Sequence, residues 1–424
     1  MRYTEIYGKF DISCEVRELV EQAEKKLQGT FAEIDRIAEY NQLKVLSAMQ
    51  KLKVTEACLL ETTGYGYNDI GRETLEGVYA EIFHTEEALV RSQIVCGTHA
   101  LAVAISGNTR PGDVVYSPCG LPYDTLQTVL GLNGARGSLK EYGIGFAFTK
   151  LKEDGTFDFD RIRKEIPENA SLIEIQRSRG YSLRPSFTVD QIGELIEFLK
   201  KIRPGSKIMA DNCYGEFVET KEPTEVGADM MVGSLIKNPG GGIAPVGGYI
   251  VGTEECVENA AARLTAPGIG REIGPSLGNN RPMFMGLYNA PQATAAALKG
   301  AVLCACTYDM LGFETFPKYT EKRADIVQTI VLGSPERLIQ FCNGVQSSSP
   351  VDACFAPEPN EMPGYDCDVI MAAGCFTSGS SIELSADGPL REPYAAYYQG
   401  GLNYTQGKIA VMKTIQLLRD HSLL

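Results

Sequence analysis

The feature that most constrains the fold is an alternation of short apolar runs with segments of helical spacing through the middle of the chain. Six runs have the composition of strands, and they read "DVVYSP", "GIGFAFTKL", "SLIEIQ", "KIMADNC", "DMMVGSL" and "GGYIVG". Segments such as "TVDQIGELIEFLKKI" between them are compatible with helices. Strands that alternate with helices predict an α/β fold with a mostly parallel sheet, in which ligands bind at the carboxyl ends of the strands.

The two ends of the chain differ from this middle part. Apolar residues recur at helical spacing over residues 31–52, which predicts an N-terminal helical arm. From about residue 301 the sequence changes to loops, two strand candidates and a closing amphipathic helix, which predicts a smaller α+β domain. We therefore predict an arm at 1–55, a large domain at 56–300 and a small C-terminal domain at 301–424.

The composition limits the partners and the compartment. The chain has 40 basic and 54 acidic residues, a net charge of −14, which disfavours nucleic acid and anionic membranes as partners. No apolar run is long enough to cross a membrane, and the N-terminus lacks the pattern of a signal peptide. Twelve scattered cysteines without a CxxC pair are typical of a reducing compartment, so we predict a cytoplasmic protein.

A single lysine, Lys237, lies in the glycine-rich stretch "GSLIKNPGGGIAPVGGYIVG". It follows a strand-like run and precedes "NPGGG", which cannot continue a helix or a strand without penalty. Burial there is expected to lower the pKa of the amine, and a free amine can attack a carbonyl group. The alternative is a lysine whose stem packs while its head reaches solvent. Ser234 could add a hydroxyl to a phosphate.

Two segments upstream strengthen the interpretation of this lysine. Asp211 ends an apolar strand, where its carboxylate could bind a pyridine nitrogen, although the cap of the next helix is a competing role. Gly97, Thr98 and His99 begin an apolar helical segment, and a helix N-terminus with a glycine and a hydroxyl suits a phosphate.

Further candidates lie on loops. Tyr123 could cover a ring or move a proton, and a packing role is about equally expected. Arg177 and Arg179 follow a strand, and Arg391 lies in a proline-rich turn; any of them could bind a carboxylate, with a surface ion pair as the alternative.

Competing motifs fit less well. "NPGGG" lacks the ending of a P-loop, and "GIGREIG" is not followed by an apolar helix. The three histidines lack metal-ligand spacing, so we predict no metal site.

Several of these segments together resemble one family. "GYGYNDIGRETLEGVYAEIF", "ALVRSQIVCGTHALAVA", "IQRSRGYS", "DNCYGEF", "SLIKNPGGG" and "RLTAPGIGREIG" are similar to the methionine gamma-lyase-like family. Its members are also called aluminium resistance proteins and, provisionally, cystathionine beta-lyases. The resemblance runs from about residue 30 to the C-terminus and implies a fold type I pyridoxal phosphate enzyme.

The resemblance implies roles for the candidate residues. Lys237 would hold the cofactor covalently, Asp211 would pair with its ring nitrogen, and Tyr123 would stack on the ring. The phosphate would be bound by Gly97, Thr98 and Ser234, the ring partly covered by His99, and the substrate carboxylate bound by Arg391.

The resemblance also implies an assembly. In better-known gamma-lyases a Tyr-x-Arg element of a neighbouring subunit reaches the phosphate, and Tyr67 and Arg72 are the candidates here, at a wider spacing. We therefore expect a homotetramer, a dimer of dimers, with active sites at a subunit interface.

The implied activity is carbon–sulfur bond cleavage in cystathionine, methionine or a related amino acid, giving ammonia, a 2-oxo acid and a thiol. β- and γ-elimination both remain open. The alternatives are an aminotransferase, an aldolase or a β-replacement enzyme with the same cofactor, a cofactor-binding protein without turnover, and, less favoured, a nucleotide-binding α/β protein.

Overall fold

The computed structural model describes residues 3–362 and 367–424 and confirms the predicted α/β fold. Within these ranges the α-helices, α1 to α11, are Cys14–Lys26, Gln28–Lys51, Ile70–Ile82, Gly97–Asn108, Asp124–Leu130, Phe159–Glu165, Val189–Ile202, Glu254–Leu264, Asn280–Met310, Pro335–Gln346 and Tyr404–Asp420. The strands, β1 to β12, are Glu87–Arg91, Val114–Ser117, Gly145–Phe148, Ala170–Gln176, Lys207–Asp211, Met230–Ser234, Gly248–Gly252, Glu314–Phe316, Gln328–Val331, Val369–Ala372, Ser385–Pro389 and Ala395–Gln399. Short 3₁₀ helices lie at Tyr3–Phe10, Glu56–Leu59, Leu139–Tyr142, Pro223–Val226 and Asn238–Gly240.

The chain forms two compact units. One contains residues 40–290, and the other combines 1–39 with 291–424, so the division falls inside α2 and inside α9. The three-part domain division stays a prediction, because compactness groups residues by contact and does not test which parts fold alone.

The unit of residues 40–290 is built on a seven-stranded sheet of order β1-β7-β6-β5-β4-β2-β3. Strand β7 is antiparallel to both of its neighbours, and the pairs from β6 through β5, β4 and β2 to β3 are parallel. The carboxyl ends of β4, β5 and β6 therefore lie at one edge of the sheet. This edge is where ligands bind in open α/β sheets.

Helices cover both faces of this sheet, as the alternating sequence predicted. On one face, α4, α5 and α8 pack against apolar residues that include Leu172, Met209 and Val232. On the other face, α3, α6 and α7 pack with parts of α2 and α9 against neighbouring residues of the same strands, such as Ile173 and Met231. Side chains alternate between the faces along a strand, so each strand residue can be assigned to one face.

A polar residue inside α2 has a structural role in this unit. Asn41 interrupts the apolar face of the helix, yet only 1% of its surface is exposed. Its amide Nδ2 donates to the carbonyl oxygens of Phe217 and Glu219, at 3.1 Å each. Asn41 therefore anchors the segment that follows β5, and these hydrogen bonds compensate for its burial.

The other unit contains a five-stranded antiparallel sheet of order β10-β11-β12-β9-β8. Helix α10 packs against α11, and Tyr404 and Lys408 of α11 each contact the carboxylate of Glu24 in α1 at 2.7 Å. Among the residues that the structure describes, no helix is long and apolar enough to cross a membrane.

Candidate functional site

The predicted residues at the carboxyl ends of β5 and β6 share one face of the large sheet. Asp211 is the last residue of β5 and pairs in register with Val232 of β6, and Ser234, two residues later, ends β6. Both side chains point toward the face covered by α4, α5 and α8, because Val232 packs there. Lys237 follows on the loop after β6.

The N-terminus of α4 meets Ser234. A Cβ atom placed on Gly97, the first residue of α4, would lie 3.3 Å from the Ser234 Cβ and 3.5 Å from the Cys213 Sγ. These distances are short for a Cβ atom, so glycine lets the N-terminus of α4 lie close to the Ser234 side chain. Backbone N–H groups at a helix N-terminus beside a hydroxyl are a donor set that fits a phosphate group.

The next two residues of α4 have different partners. The Thr98 hydroxyl lies 3.0 Å from the Tyr123 hydroxyl and 3.1 Å from that of Thr125. The His99 Nδ1 accepts a hydrogen bond of 3.2 Å from the backbone N–H of Val95, so this imidazole nitrogen caps its own turn. Thr98 is thus linked to a second predicted residue of the site.

Tyr123 is held from two sides. It precedes α5, and its backbone N–H donates to the Gln176 Oε1 at 2.9 Å while its hydroxyl meets Thr98. Burial, with a contribution from the Asp211 charge, raises the pKa of Tyr123 well above its usual range, so the phenol keeps its proton. Because Gln176 pairs with Asp211 across β4 and β5, Tyr123 is tied to the strand beside Asp211.

The Lys237 ammonium lies 3.9 Å from the centre of the Tyr214 ring. The predicted lowering of its pKa is wrong. Burial opposes the positive charge, but the acidic groups around it, among them the Asp211 carboxylate, outweigh that effect and raise the pKa of Lys237. The structure therefore favours the ammonium form.

Asp211 is fixed by the residues that follow it. Its Oδ1 accepts a hydrogen bond of 3.1 Å from the backbone N–H of Cys213. Burial raises the pKa of Asp211, and the Lys237 charge and the Cys213 N–H oppose that rise. A carboxylate and a lysine near each other, with a helix N-terminus beside a serine hydroxyl, are the groups that a pyridoxal phosphate cofactor requires.

Tyr214 is a site residue that the sequence analysis missed. Its backbone has a φ of 72°, a region that residues other than glycine seldom adopt and that is enriched at functional sites. This conformation accompanies the placement of its ring beneath Lys237. The signal in the sequence was the turn-forming "DNCYG" directly after an apolar strand.

Arg177 and Arg179 lie inside the unit. Arg177 is fully buried, and its guanidinium contacts Glu219 at 3.0 Å, Glu222 at 3.3 Å and Asn212 at 2.7 Å. This arrangement is a buried ion-pair network that leaves no part of the guanidinium accessible to a substrate. Arg177 is therefore not a candidate for binding the substrate carboxylate. Arg179 is 3% exposed, and its backbone N–H donates to Ser186 at 3.1 Å.

Arg391 belongs to the other compact unit, in the exposed turn between β11 and β12. Its backbone N–H donates to the carbonyl oxygen of Pro389 at 2.9 Å. Its role in binding a carboxylate stays a prediction.

Arg72 uses its guanidinium to hold a loop of its own chain. Its Nη1 donates to the carbonyl oxygens of Gly66 at 2.7 Å and Gly274 at 2.9 Å, and its Nη2 to that of Glu272 at 3.4 Å. Tyr67 is 60% exposed and stacks on Tyr65, with ring centres 5.4 Å apart. The phosphate-binding role of Arg72 and Tyr67 in a neighbouring subunit stays a prediction.

No group of three or more histidine, cysteine, aspartate and glutamate side chains in residues 3–362 and 367–424 is arranged to hold a metal ion.

The architecture is that of the fold type I pyridoxal phosphate enzymes, since the chain superposes on the pyridoxal-5′-phosphate-dependent protein YhfS of Escherichia coli with a TM-score of 0.60 at 13% identity, over 90% of this chain and 97% of that one. It also superposes on a methionine gamma lyase of Micromonospora echinospora, with a TM-score of 0.54 at 17% identity, over 81% and 85% of the two chains.

The family model for methionine gamma-lyase matches residues 16–419, and the chain belongs to that family. An uncharacterized protein of Bacillus subtilis, YnbB, is 46% identical over 405 residues, 95% of this chain and 96% of that protein. A Listeria monocytogenes structure, provisionally described as a cystathionine beta-lyase involved in aluminium resistance, is 48% identical with a TM-score of 0.93, over 94% and 99% of the chains. A Clostridium novyi carbon–sulfur lyase involved in aluminium resistance gives the same identity and TM-score, over 97% and 98%.

Proposed function

We propose that this chain is a pyridoxal phosphate-dependent carbon–sulfur lyase that acts on cystathionine, methionine or a related sulfur amino acid. The observation that carries the proposal is the joint placement of Lys237, Asp211 and the helix N-terminus at Gly97. Each residue occupies the end of a different element at one edge of the sheet. The names of the relatives support cleavage of a carbon–sulfur bond.

Different residues of the chain would bind different parts of pyridoxal phosphate. Lys237 Nζ would attach to the cofactor's carbonyl carbon, and Asp211 would accept a hydrogen bond from the ring nitrogen. Gly97, Ser234 and Thr98 would bind the phosphate, through backbone N–H groups and hydroxyls. When bound, the cofactor supplies a ring that takes up the electron pair released at the substrate α-carbon.

Proton transfer follows from the same placement. Lys237 Nζ is the group suited to remove the proton from the substrate α-carbon and to return one to the departing sulfur. The Tyr123 phenol, which keeps its proton, is a second donor near this position. A thiolate on the β-carbon requires one proton removal and a thiolate on the γ-carbon requires a further one, so substrate identity decides how Lys237 and Tyr123 share the work.

The substrate carboxylate would be bound by Arg391, with Arg179 as the second candidate. We also propose that the chain works in the cytoplasm as a dimer of dimers, with Tyr67 and Arg72 of a neighbouring subunit near the phosphate. The exposed, stacked ring of Tyr67 supports an interface there. An active protein that sediments as a monomer would contradict this assembly.

The test is product analysis with the purified chain and pyridoxal phosphate. L-Cystathionine and L-methionine are offered separately, and thiol, ammonia and 2-oxo acid are measured. We expect the three products in equal amounts without a second keto acid, and none from Lys237→Ala. Lys200→Ala is the matched control, because Lys200 is an exposed lysine paired with Asp229. Turnover that requires a second keto acid would instead establish an aminotransferase.

A further inference from the structure

A buried carboxyl group lies one strand away from Asp211. Glu174 belongs to β4, which pairs with β5 so that Glu174 faces Met209 and Gln176 faces Asp211. Glu174 is two residues from Leu172, which packs on the face covered by α4, α5 and α8. Glu174 and Asp211 therefore point toward the same face from neighbouring strands, as diagonal neighbours offset by two residues along the strands.

The surroundings of Glu174 do not support a negative charge. The residue is 1% exposed, and both carboxylate oxygens are buried without a hydrogen-bond partner. The hydroxyl of Ser117 on β2 favours the charged form, but burial outweighs it, and neither carboxylate oxygen has a hydrogen bond of good geometry. An ionised carboxylate without partners is costly in such a place, whereas a protonated one is much less so.

The surroundings of Glu174 both raise and lower its pKa. Burial is the largest effect, and together with the Asp211 charge it raises the pKa of Glu174 to about 8. The Arg184 guanidinium, which donates to the carbonyl oxygens of Gln176 and Ser178, partly opposes this rise. The thiol of Cys119 has a pKa raised to about 12, mainly by burial, and stays neutral.

Asp211, unlike Glu174, has a hydrogen-bond donor and a positive charge beside its carboxylate. Its carboxylate accepts a hydrogen bond from the Cys213 N–H and interacts with the Lys237 ammonium. Because the Asp211 charge disfavours ionisation of Glu174, the carboxyl group that has partners takes the charge.

We propose that Glu174 is a positioning residue that keeps its proton at neutral pH and so confines the negative charge at this edge of the sheet to Asp211. The carboxyl pair stands on its own geometry; the use of that charge, to hold the ring nitrogen of pyridoxal phosphate, rests on the proposed function. Ionisation of Glu174 at alkaline pH would place a second negative charge beside Asp211 and strengthen the hold on a proton there.

The first test needs no cofactor. The infrared spectrum of Glu174→Gln is subtracted from that of the wild type at about pH 7, where we expect the C=O band of a protonated carboxyl group. Glu174→Leu, which removes the polar group altogether, gives the same difference if the first variant folds poorly. The matched control is Glu216→Gln, because Glu216 is also fully buried and its pKa is raised to about 8, chiefly by burial. Glu216 differs in its position: it lies near Gly233 on the other face of the sheet and accepts a hydrogen bond of 2.7 Å from the Tyr249 hydroxyl.

Coupling between the two carboxyl groups is measured with Asp211→Asn. Removing the Asp211 charge should lower the pH at which the Glu174 band disappears by about one unit. Glu216→Gln should leave that pH unchanged. The proposal is overturned if no protonated carboxyl band is lost in Glu174→Gln, or if Asp211→Asn does not move its midpoint.

A second measurement separates this inference from the proposed function. With pyridoxal phosphate added, the visible absorption of the wild type should change with pH near the Glu174 midpoint, and Glu174→Gln should lose this change while Glu216→Gln keeps it. An identical profile in wild type and Glu174→Gln would reduce Glu174 to a packing residue and overturn the positioning role. Failure to capture pyridoxal phosphate at all would overturn the proposed function, whereas the infrared coupling would still uphold the carboxyl pair.

Discussion

Replacing Gly97 by alanine adds one methyl group at the place where we expect the phosphate. The new Cβ would lie 3.3 Å from the Ser234 Cβ and 3.5 Å from the Cys213 Sγ, contacts that small side-chain movements can relieve. Gly97 has no left-handed φ, so alanine is compatible with the backbone there. Alanine also favours a helix over glycine by up to about 1 kcal/mol. We therefore expect Gly97→Ala to fold with a melting temperature close to that of the wild type.

The effect on cofactor binding should be much larger. If the methyl group displaces the phosphate from one or two charge-assisted hydrogen bonds, the loss is about 1.5–3 kcal/mol for each. At about 1.4 kcal/mol per factor of ten, the dissociation constant for pyridoxal phosphate should rise about 10- to 100-fold or more. Pyridoxal, which lacks the phosphate, should bind the variant and the wild type equally.

The assay is an absorbance titration of both variants with pyridoxal phosphate and with pyridoxal. Gly205→Ala is the control, because a Cβ at Gly205 would meet no atom within 4 Å. If Gly97→Ala weakened the binding of both ligands equally, or of neither, phosphate binding at the N-terminus of α4 would be refuted.

Because the raised pKa of Lys237 keeps its amine charged at neutral pH, its rate of modification by a small amine reagent should rise about tenfold per pH unit, measured from about pH 6 to 9. Tyr214→Leu removes a cation–π contact worth about 0.5–2 kcal/mol, so it should accelerate that modification at a given pH, whereas Tyr214→Phe should not. Arg177→Met removes the cation that pairs with the buried carboxylates of Glu219 and Glu222 and should lower the unfolding free energy by about 3–5 kcal/mol in urea titrations. Arg391→Met, in an exposed turn, should raise KM about tenfold or more. Burial raises the pKa of Glu216 from 4.5 to about 8. The protonated Glu216 therefore contributes stability that is fully present below pH 4.5 and is lost as the pH rises through about 8, by at most about 1.4 kcal/mol per pH unit. In Glu216→Gln the unfolding free energy should fall less over this pH range.

The large sheet was predictable because each strand carries its own signal. All six apolar runs contain strands of the sheet, β2 to β7, since buried strands need continuous apolar residues whatever their neighbours are. Strand β1, Glu87–Arg91, was missed because its short sequence "EALVR" has charged residues at both ends and fits a helix equally well. Its pairing with β7 comes from a distant part of the chain, and no local pattern encodes that.

The N-terminal half of α3 was also missed. The composition of "GYGYNDIGRETLEG", rich in glycine and polar residues, does not indicate a regular element, yet α3 begins at Ile70. Asp69 caps the helix by accepting a hydrogen bond of 2.9 Å from the backbone N–H of Arg72. The cap signal was present in the sequence but was outweighed by composition.

In the site, the local signals were those of strand ends and helix starts. Lys237, Ser234 and Asp211 follow apolar strands and Gly97 begins an apolar helix, so topology alone brings them to one edge. The structural role of Arg177 could not be predicted from the sequence. The carboxylates that pair with it, those of Glu219 and Glu222, lie more than forty residues later in the chain and contact it only in the folded protein. The direction of the Lys237 pKa depended in the same way on the acidic groups that folding gathers around it.

The attachment of pyridoxal phosphate to Lys237 is tested by borohydride reduction of the purified chain with the cofactor, followed by peptide mapping. We expect a yellow protein whose reduced pyridoxyl group maps to Lys237, and no such label in Lys237→Ala. A chain that acquires no reducible absorption, or a label that maps to another lysine, would contradict the role of Lys237 and with it the assignment as a carbon–sulfur lyase.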